Sequence, residues 1–218
     1  MPSRAVGSGL STEVQLALSQ EALRLATDMA EIGTWDLDVQ GNVLVWSDRT
    51  RAMFGISPGV PSSMDDFYAG LHPDDLAATT KAFLSALDPA IRATYDVEYR
   101  TIGKEDGRIR HVVARGKAIF DADGQCVRAV GAVMEVTDQR KAQAFDQALL
   151  ALSDRLRVLE DPVDIAHAAA EILGQTLEGA HAGYGLVDRE AETIAVARGW
   201  TAPGRTPLPS LMHFRDYG

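Results

Sequence analysis

The chain has 218 residues, 46% of them hydrophobic and 24% charged, with a formal net charge of −10; this is the composition of a globular protein and not of a disordered one. The acidity is spread along it, 14 Lys/Arg against 20 Asp/Glu in residues 1–140 and 7 against 11 beyond, so neither half offers the basic patch that nucleic acid or an anionic membrane would need. The one cysteine, Cys126, rules out an intrachain disulfide and a Cys-based zinc site, and no run approaches the ~18 apolar residues of a spanning helix; a soluble, cytoplasmic chain is expected.

After a Gly/Ser-rich head, Ser11-Thr12-Glu13 reads as a helix start with Ser11 or Thr12 as cap. Leu18, Ala22, Leu25, Met29 and Ile32 then recur at spacings of 4, 3, 4 and 3, a narrow apolar seam on one helix face. Such a seam packs on its own domain or, as the sharper reading, pairs with a second copy of the chain. Gly33 is expected to end the helix.

The texture then turns to strands: "TWDLDV", "NVLVWS", "ATYDVEYRTI", "IRHVVARGKAIF" and "CVRAVGAVMEVT", punctuated by Gln40-Gly41-Asn42, Asp106-Gly107 and Asp123-Gly124. Two lie before a helical middle at about 48–88 and three after it as consecutive hairpins, which predicts an antiparallel meander. Tyr95, Val97 and Tyr99 alternate with Asp96, Glu98 and Arg100, the mark of a sheet buried on one side. The last strand is apolar on both faces, so the N-terminal helix or a partner subunit is expected to cover its outer side.

From Asp138, Ala142, Phe145, Leu149, Leu152, Leu156 and Leu159 form a short heptad seam. Asp161-Pro162 breaks it and opens a helix over about 162–178, expected to bury Val163, Ala166, Ala170, Leu173 and Leu177 and to stop at Gly179. "AGYGLVD" and "ETIAVARGW" read as two strands joined by "REA", and the last eighteen residues show no period. A unit of about 70 residues with two strands is too small to close its own core, so it is expected to be incomplete.

Residues 33–138 resemble a PAS domain of the kind found in bacterial sensor histidine kinases. The likeness is carried by "GTWDLDVQGNVLVWSDRTRAMFGISP", "LHPDDLAATTKAF" and "YDVEYRTIGKEDGRIRHVVARGKAIFDADGQCVRAVGAVMEVTDQRKAQ" in that order. Residues 145–218 more weakly resemble the first half of a GAF domain, through Pro162, "HAGYGLVDREAETIAVARGW" and "HFRDYG". The implied fold is α+β: a five-stranded antiparallel sheet with helices on one face, flanked by an N-terminal helix (1–32) and a connector helix (139–160), then a partial GAF unit (161–218). The implied function is sensory input and dimerisation in a signal-transduction protein. Nothing resembles a phosphoacceptor motif or a kinase core, so this chain is expected to be no enzyme itself but part of a histidine kinase, with a kinase core or response regulator downstream.

The PAS resemblance also implies a cavity between sheet and helices, with Trp46, Phe54, Phe83, Tyr95, Val97, Tyr99, Val112, Ala114 and Gly131 as candidate lining, either a plain core or a pocket for a small apolar or aromatic molecule. A flavin adduct would need a Cys on the central helix, and a haem an axial His on the long helix. "LAATTKAFLSALD" carries neither, and the cofactor is left open. "MEVTDQRKAQ" resembles the family's Asp-Ile-Thr exit, which makes Glu135, Thr137 and Asp138 the candidate signal relay. Leu18, Leu25, Met29, Phe145, Leu149, Leu152 and Leu156 are the candidate dimer residues. His167 with Glu171 on one helix face is weighed as a phosphoacceptor and set aside for its Ala-rich surround. "LHPDD" could suggest a metal-dependent hydrolase, but it reads as a helix start. Pro73 takes the first helical position, Asp74 and Asp75 oppose the helix dipole, and the residues after them offer no further good ligand.

Overall fold

The computed structural model describes residues 11–216; the expected head and the final two residues of "HFRDYG" lie outside them. The first helix, α1 (Thr12–Met29), starts as its sequence predicts. The Ser11 hydroxyl accepts from the Val14 N–H at 3.4 Å, answering one of the N–H groups that a helix start leaves free. It ends sooner than the seam implies, because Glu31 turns into the left-handed conformation at φ 56° and Ile32 and Gly33 already belong to a strand. Gly33 is thus no helix stop. A methyl group there would stand 2.5 Å from the Thr50 hydroxyl oxygen, so its missing side chain lets the strand approach the next helix. No residue of α1 is buried, which overturns the expectation that the seam packs on its own domain.

The chain forms two compact units that divide between Thr137 and Asp138. In the first, β1 (Ile32–Asp38) and β2 (Val43–Trp46) form a hairpin. Three helices follow, α2 (Asp48–Met53), α3 (Met64–Gly70) and α4 (Pro73–Leu87), and then β3 (Tyr95–Ile102), β4 (Ile109–Phe120) and β5 (Cys126–Glu135). The strands make one antiparallel sheet in the order β2-β1-β5-β4-β3. The expected meander is present, with left-handed glycines at its turns, Gly107 at φ 64° and Gly124 at φ 80°. β5 takes the central place between β1 and β4, which suits a strand apolar on both faces.

Period-2 alternation sends Trp35, Leu37, Leu44, Trp46, Tyr95, Tyr99, Val112, Ala114, Ala129 and Val133 to one face. There they pack against Met53, Phe54, Phe67 and Phe83 from the helical layer. Full burial of such a side chain stabilises the fold by about 1.5–3 kcal/mol each relative to exposure. The intervening residues carry ion pairs between neighbouring strands, Arg128 with Asp36 and Arg115 with Asp96. On that outer face Met134 stays 43% exposed. The N-terminal helix, with nothing buried, does not close it.

The second unit holds α5, which begins at the last residue of the first (Thr137–Leu156), α6 (Pro162–Thr176), β6 (His181–Ala182), β7 (Gly185–Asp188), β8 (Thr193–Val196), β9 (Trp200–Thr201), β10 (Leu211–His213) and a 3-10 turn over Phe214–Asp216. The Asp161 carboxylate caps α6 by accepting from the Val163 and Asp164 N–H groups at 2.7 and 3.2 Å, with Pro162 in the first turn. Glu178 at φ 50°, not Gly179, makes the left-handed stop.

The buried face of α6 differs from the expected one. Ala168, Ala170, Ile172 and Gly174 are buried, whereas Val163, Leu173 and Leu177 are exposed. The cause is Trp200, whose ring lies so close over Gly174 that a Cβ there would stand 2.9 Å from Cδ2; the β6–β9 pair covers that side. β7 and β8 form the expected hairpin, and β10, drawn from the stretch without period, adds to β8. Among the described residues no helix is long and apolar enough to cross a membrane.

Candidate functional site

Between the sheet and the helical layer the first unit encloses a cavity of about 30 Å³, room for roughly one or two waters. Phe54, Phe83, Tyr95 and Tyr99 border it as the sequence suggests, joined by Trp35, Leu44, Thr50, Met64, Phe67 and Val133. Trp46, Val112 and Ala114 are buried in the same core without bordering the cavity, Val97 packs at its margin, and Gly131 lies under the Trp35 ring. Alternation in "TWDLDV" could have placed Trp35 on this face with Leu37. Burial pushes the Tyr95 and Tyr99 phenols well above their ordinary pKa, so both remain neutral. Thr50 is bound elsewhere, its hydroxyl donating to the Thr34 carbonyl at 2.8 Å.

The "LHPDD" stretch does more than start a helix. His72 is the cap of α4, its Nδ1 accepting from the Asp74 N–H at 3.3 Å. Asp75 turns to β3, where Oδ2 accepts from the Arg100 backbone N at 2.8 Å and from Nε at 2.9 Å, and Oδ1 accepts from Nη2 at 2.8 Å. The Arg100 carbonyl in turn accepts from the His72 N–H at 2.9 Å. Helix and strand are thus clamped together at this point. Among the described residues no group of three or more His, Cys, Asp or Glu could hold a metal ion.

The sheet's exit is tied just as specifically. Thr137 is buried. Its hydroxyl donates to the Glu135 carboxylate at 2.8 Å and accepts from the His111 N–H at 3.0 Å, while Val136 N–H donates to the His111 carbonyl at 2.8 Å. One side chain therefore joins β4, the end of β5 and the first residue of α5. Asp138 sits in the first turn of α5, where its charge suits the helix dipole. Replacing Thr137 by valine keeps the shape but strips the His111 N–H of its partner. The expected loss is about 1–3 kcal/mol, with faster hydrogen exchange at the His111 amide. Thr137→Ser should recover most of it, and an unchanged exchange rate would show that the hydroxyl holds nothing.

The remaining candidates are scattered. His167 is half-buried with an unpartnered Nδ1, and its neighbour Glu171 is paired instead with Arg155. Cys126 starts β5, far in sequence from the central helix, and burial raises its thiol pKa.

Comparison with known proteins agrees with this geometry. Residues 43–133 match the family model described as the PAS fold. The crystal structure of a sensory box histidine kinase/response regulator from Burkholderia thailandensis is 30% identical, covers 63% of this chain and 98% of its own, and superposes with a TM-score of 0.50. The non-motile and phage-resistance protein of Caulobacter vibrioides is 30% identical over 73% of this chain and 18% of its own length. The probable diguanylate cyclase DgcE of Escherichia coli is 25% identical over 66% of this chain and 12% of its own. The chain thus spans less than a fifth of either curated relative. With the family match, the sheet order and the helical layer in agreement, the chain belongs to the PAS family, as a sensory domain of signal-transduction proteins.

Proposed function

We propose that this chain is the sensory input and dimerisation region of a bacterial signal-transduction protein, a histidine kinase or a cyclase. It passes a change in the PAS core through Glu135 and Thr137 into α5. The observation that carries this is the Thr137 side chain, which binds two strands and is itself the first residue of the outgoing helix. Two arrangements of the sheet would then correspond to two positions of α5, and a ligand or partner preferring one would shift the balance. Catalysis belongs to parts of such proteins outside this chain, and the cytoplasm is the expected compartment.

Dimerisation is read from two apolar seams that face solvent, Leu18, Leu25 and Met29 on α1 and Phe145, Leu149 and Leu156 on α5, with half-buried Leu152 between them. Neither seam has enough cover within one chain, and helix pairing between copies would bury it. Residues 161–218 are read as the beginning of a GAF domain on the strength of Pro162 and the "HAGYGLVDREAETIAVARGW" hairpin. Light scattering should give a dimer, and Leu149→Glu should weaken association by at least roughly tenfold while leaving the fold intact, since charge in a helix seam is strongly disfavoured. A wild-type monomer at high concentration sinks the dimer. A second reading, a ligand-free protein–protein interaction module, is favoured by the small size of the core cavity.

A further inference from the structure

α4 is apolar on two sides. Thr79, Phe83 and Ala86 are buried in the core, yet the other side of the helix, with Tyr68 of α3 and Ile91 beyond its end, forms an open groove of about 790 Å³. Leu76, Ala77, Thr80 and Leu84 line it, and Leu84 and Ile91 stay 54% and 59% exposed. A helix on the surface of a globular domain normally turns a polar side to solvent. Of the residues that line this groove, two are charged, Lys81 and Asp88. Asp88 accepts from the Ala90 N–H at 2.7 Å at the groove's end, whereas Lys81 lies exposed at its middle and forms no ion pair among the described residues.

α1 supplies a matching helix. Its eighteen residues span about 27 Å, against about 22 Å for the fifteen of α4, and its seam of Leu18, Ala22, Leu25 and Met29 is unburied. Glu21 and Asp28 stand just before Ala22 and Met29, so both carboxylates lie along one border of the seam. Arg24 pairs with both and still leaves each more than half exposed. Lys81 follows Thr80 and so lies along one border of the apolar stripe on α4. In two helices that run the same way these are the borders that meet, and charges there select the partner. The exposed seam of α5 fails this test, because Lys141 and Arg155 stand just before Ala142 and Leu156 and would repel Lys81. Nor is α1 free to swing to the groove of its own chain. Ala30 and Glu31 alone join it to β1, about 7 Å of chain, and Glu31 is paired with Arg49 of α2 at 3.0 Å.

We propose that α1 of one copy docks in the α4 groove of a second copy, parallel to α4, with its seam on Leu76 and Leu84 and its acidic border on Lys81. Two-fold symmetry repeats the contact, so each chain gives one helix and receives one. The docking rests on the dimer reading and names what one of its two seams meets. Because Asp75 and Arg100 clamp α4 to β3, the partner's helix bears on an element fixed to the sheet.

Analytical ultracentrifugation of the full chain tests this. Leu84→Glu is expected to weaken the dimer at least roughly tenfold, since it places a charge in both contacts. Lys81→Glu, and separately the double variant Glu21→Lys/Asp28→Lys, should each weaken it about tenfold through like charges at both contacts. Mixing those two charge variants should recover association to within about threefold of wild type, because every helix then meets a groove of opposite charge. All four positions are exposed, and circular dichroism should show each variant folded. A dimer that Leu84→Glu leaves unweakened, or a mixture that associates no better than its parts, overturns the docking while the dimer stands. A monomeric wild type overturns the dimer reading and the docking with it.

Discussion

Replacing Phe54 with alanine is expected to lower the unfolding free energy of the first unit by about 3–5 kcal/mol. Phe54 is 2% exposed and sits at the junction of every part of the core. Its ring stacks on Trp46 at 4.4 Å and lies 6.2 Å from Phe67. α3 comes so near that a methyl group on Gly70 would stand 2.5 Å from its Cδ1. Its backbone is held as well, the N–H by α2 and the carbonyl by Lys104 N–H at 3.0 Å, so the chain cannot slide inward to refill the space. The void would merge with the cavity already present, and a void that stays empty is the costly kind. Phe54→Leu, which leaves most of the volume occupied, should cost less than half as much. Urea unfolding followed by the fluorescence of Trp35 and Trp46 measures both, and a loss below about 1 kcal/mol for the alanine would mean that this corner of the core collapses freely.

What could be read from the residues alone was whatever repeats locally. The strands show because apolar and charged residues alternate in "YDVEYR", and the turns because Gly107 and Gly124 supply a left-handed backbone that few other residues take easily. Periodicity finds a helix but does not say which side is covered. α6 carries apolar residues over more than one face, and the choice was made by Trp200, which arrives from 26 positions beyond Gly174. The same holds in reverse for α1, whose seam is regular and yet buries none of its residues. The opposition of Gly116 and Gly131 under Trp35 depends on the register of three strands, and no local pattern encodes that. "LHPDD" shows both sides of the matter. Its role as a helix start is written in Pro73 and the acidic first turn, while its partner, Arg100, lies 25 residues from Asp75.

That partnership yields the second large effect. The Arg100 guanidinium, with its backbone N–H, holds the Asp75 carboxyl well below the usual carboxylate range, at about 2. A carboxylate whose pKa is lower in the folded than in the unfolded chain contributes stability above its unfolded value near 4 and loses it as pH falls through the folded value. Asp75→Asn should therefore cost about 1.5–3 kcal/mol at pH 7, the range for hydrogen bonds to a charged group. The gap between variant and wild type should narrow below pH 4 and close near pH 2. Asp74→Asn makes the control, since that side chain is 72% exposed and meets Arg100 at only 3.2 Å; its effect should stay within about 0.5 kcal/mol. Unfolding curves at several pH values test this, and a gap that does not close at low pH would mean that Asp75 acts by shape and not by charge. The consequence reaches the core. α4 carries Phe83 and β3 carries Tyr95 and Tyr99, so a clamp between the start of that helix and this strand sets the spacing of the aromatic walls around Trp35. Loosening it should open the core around Trp35, and Asp75→Asn at neutral pH is then expected to expose Trp35 to quenching before the unit unfolds.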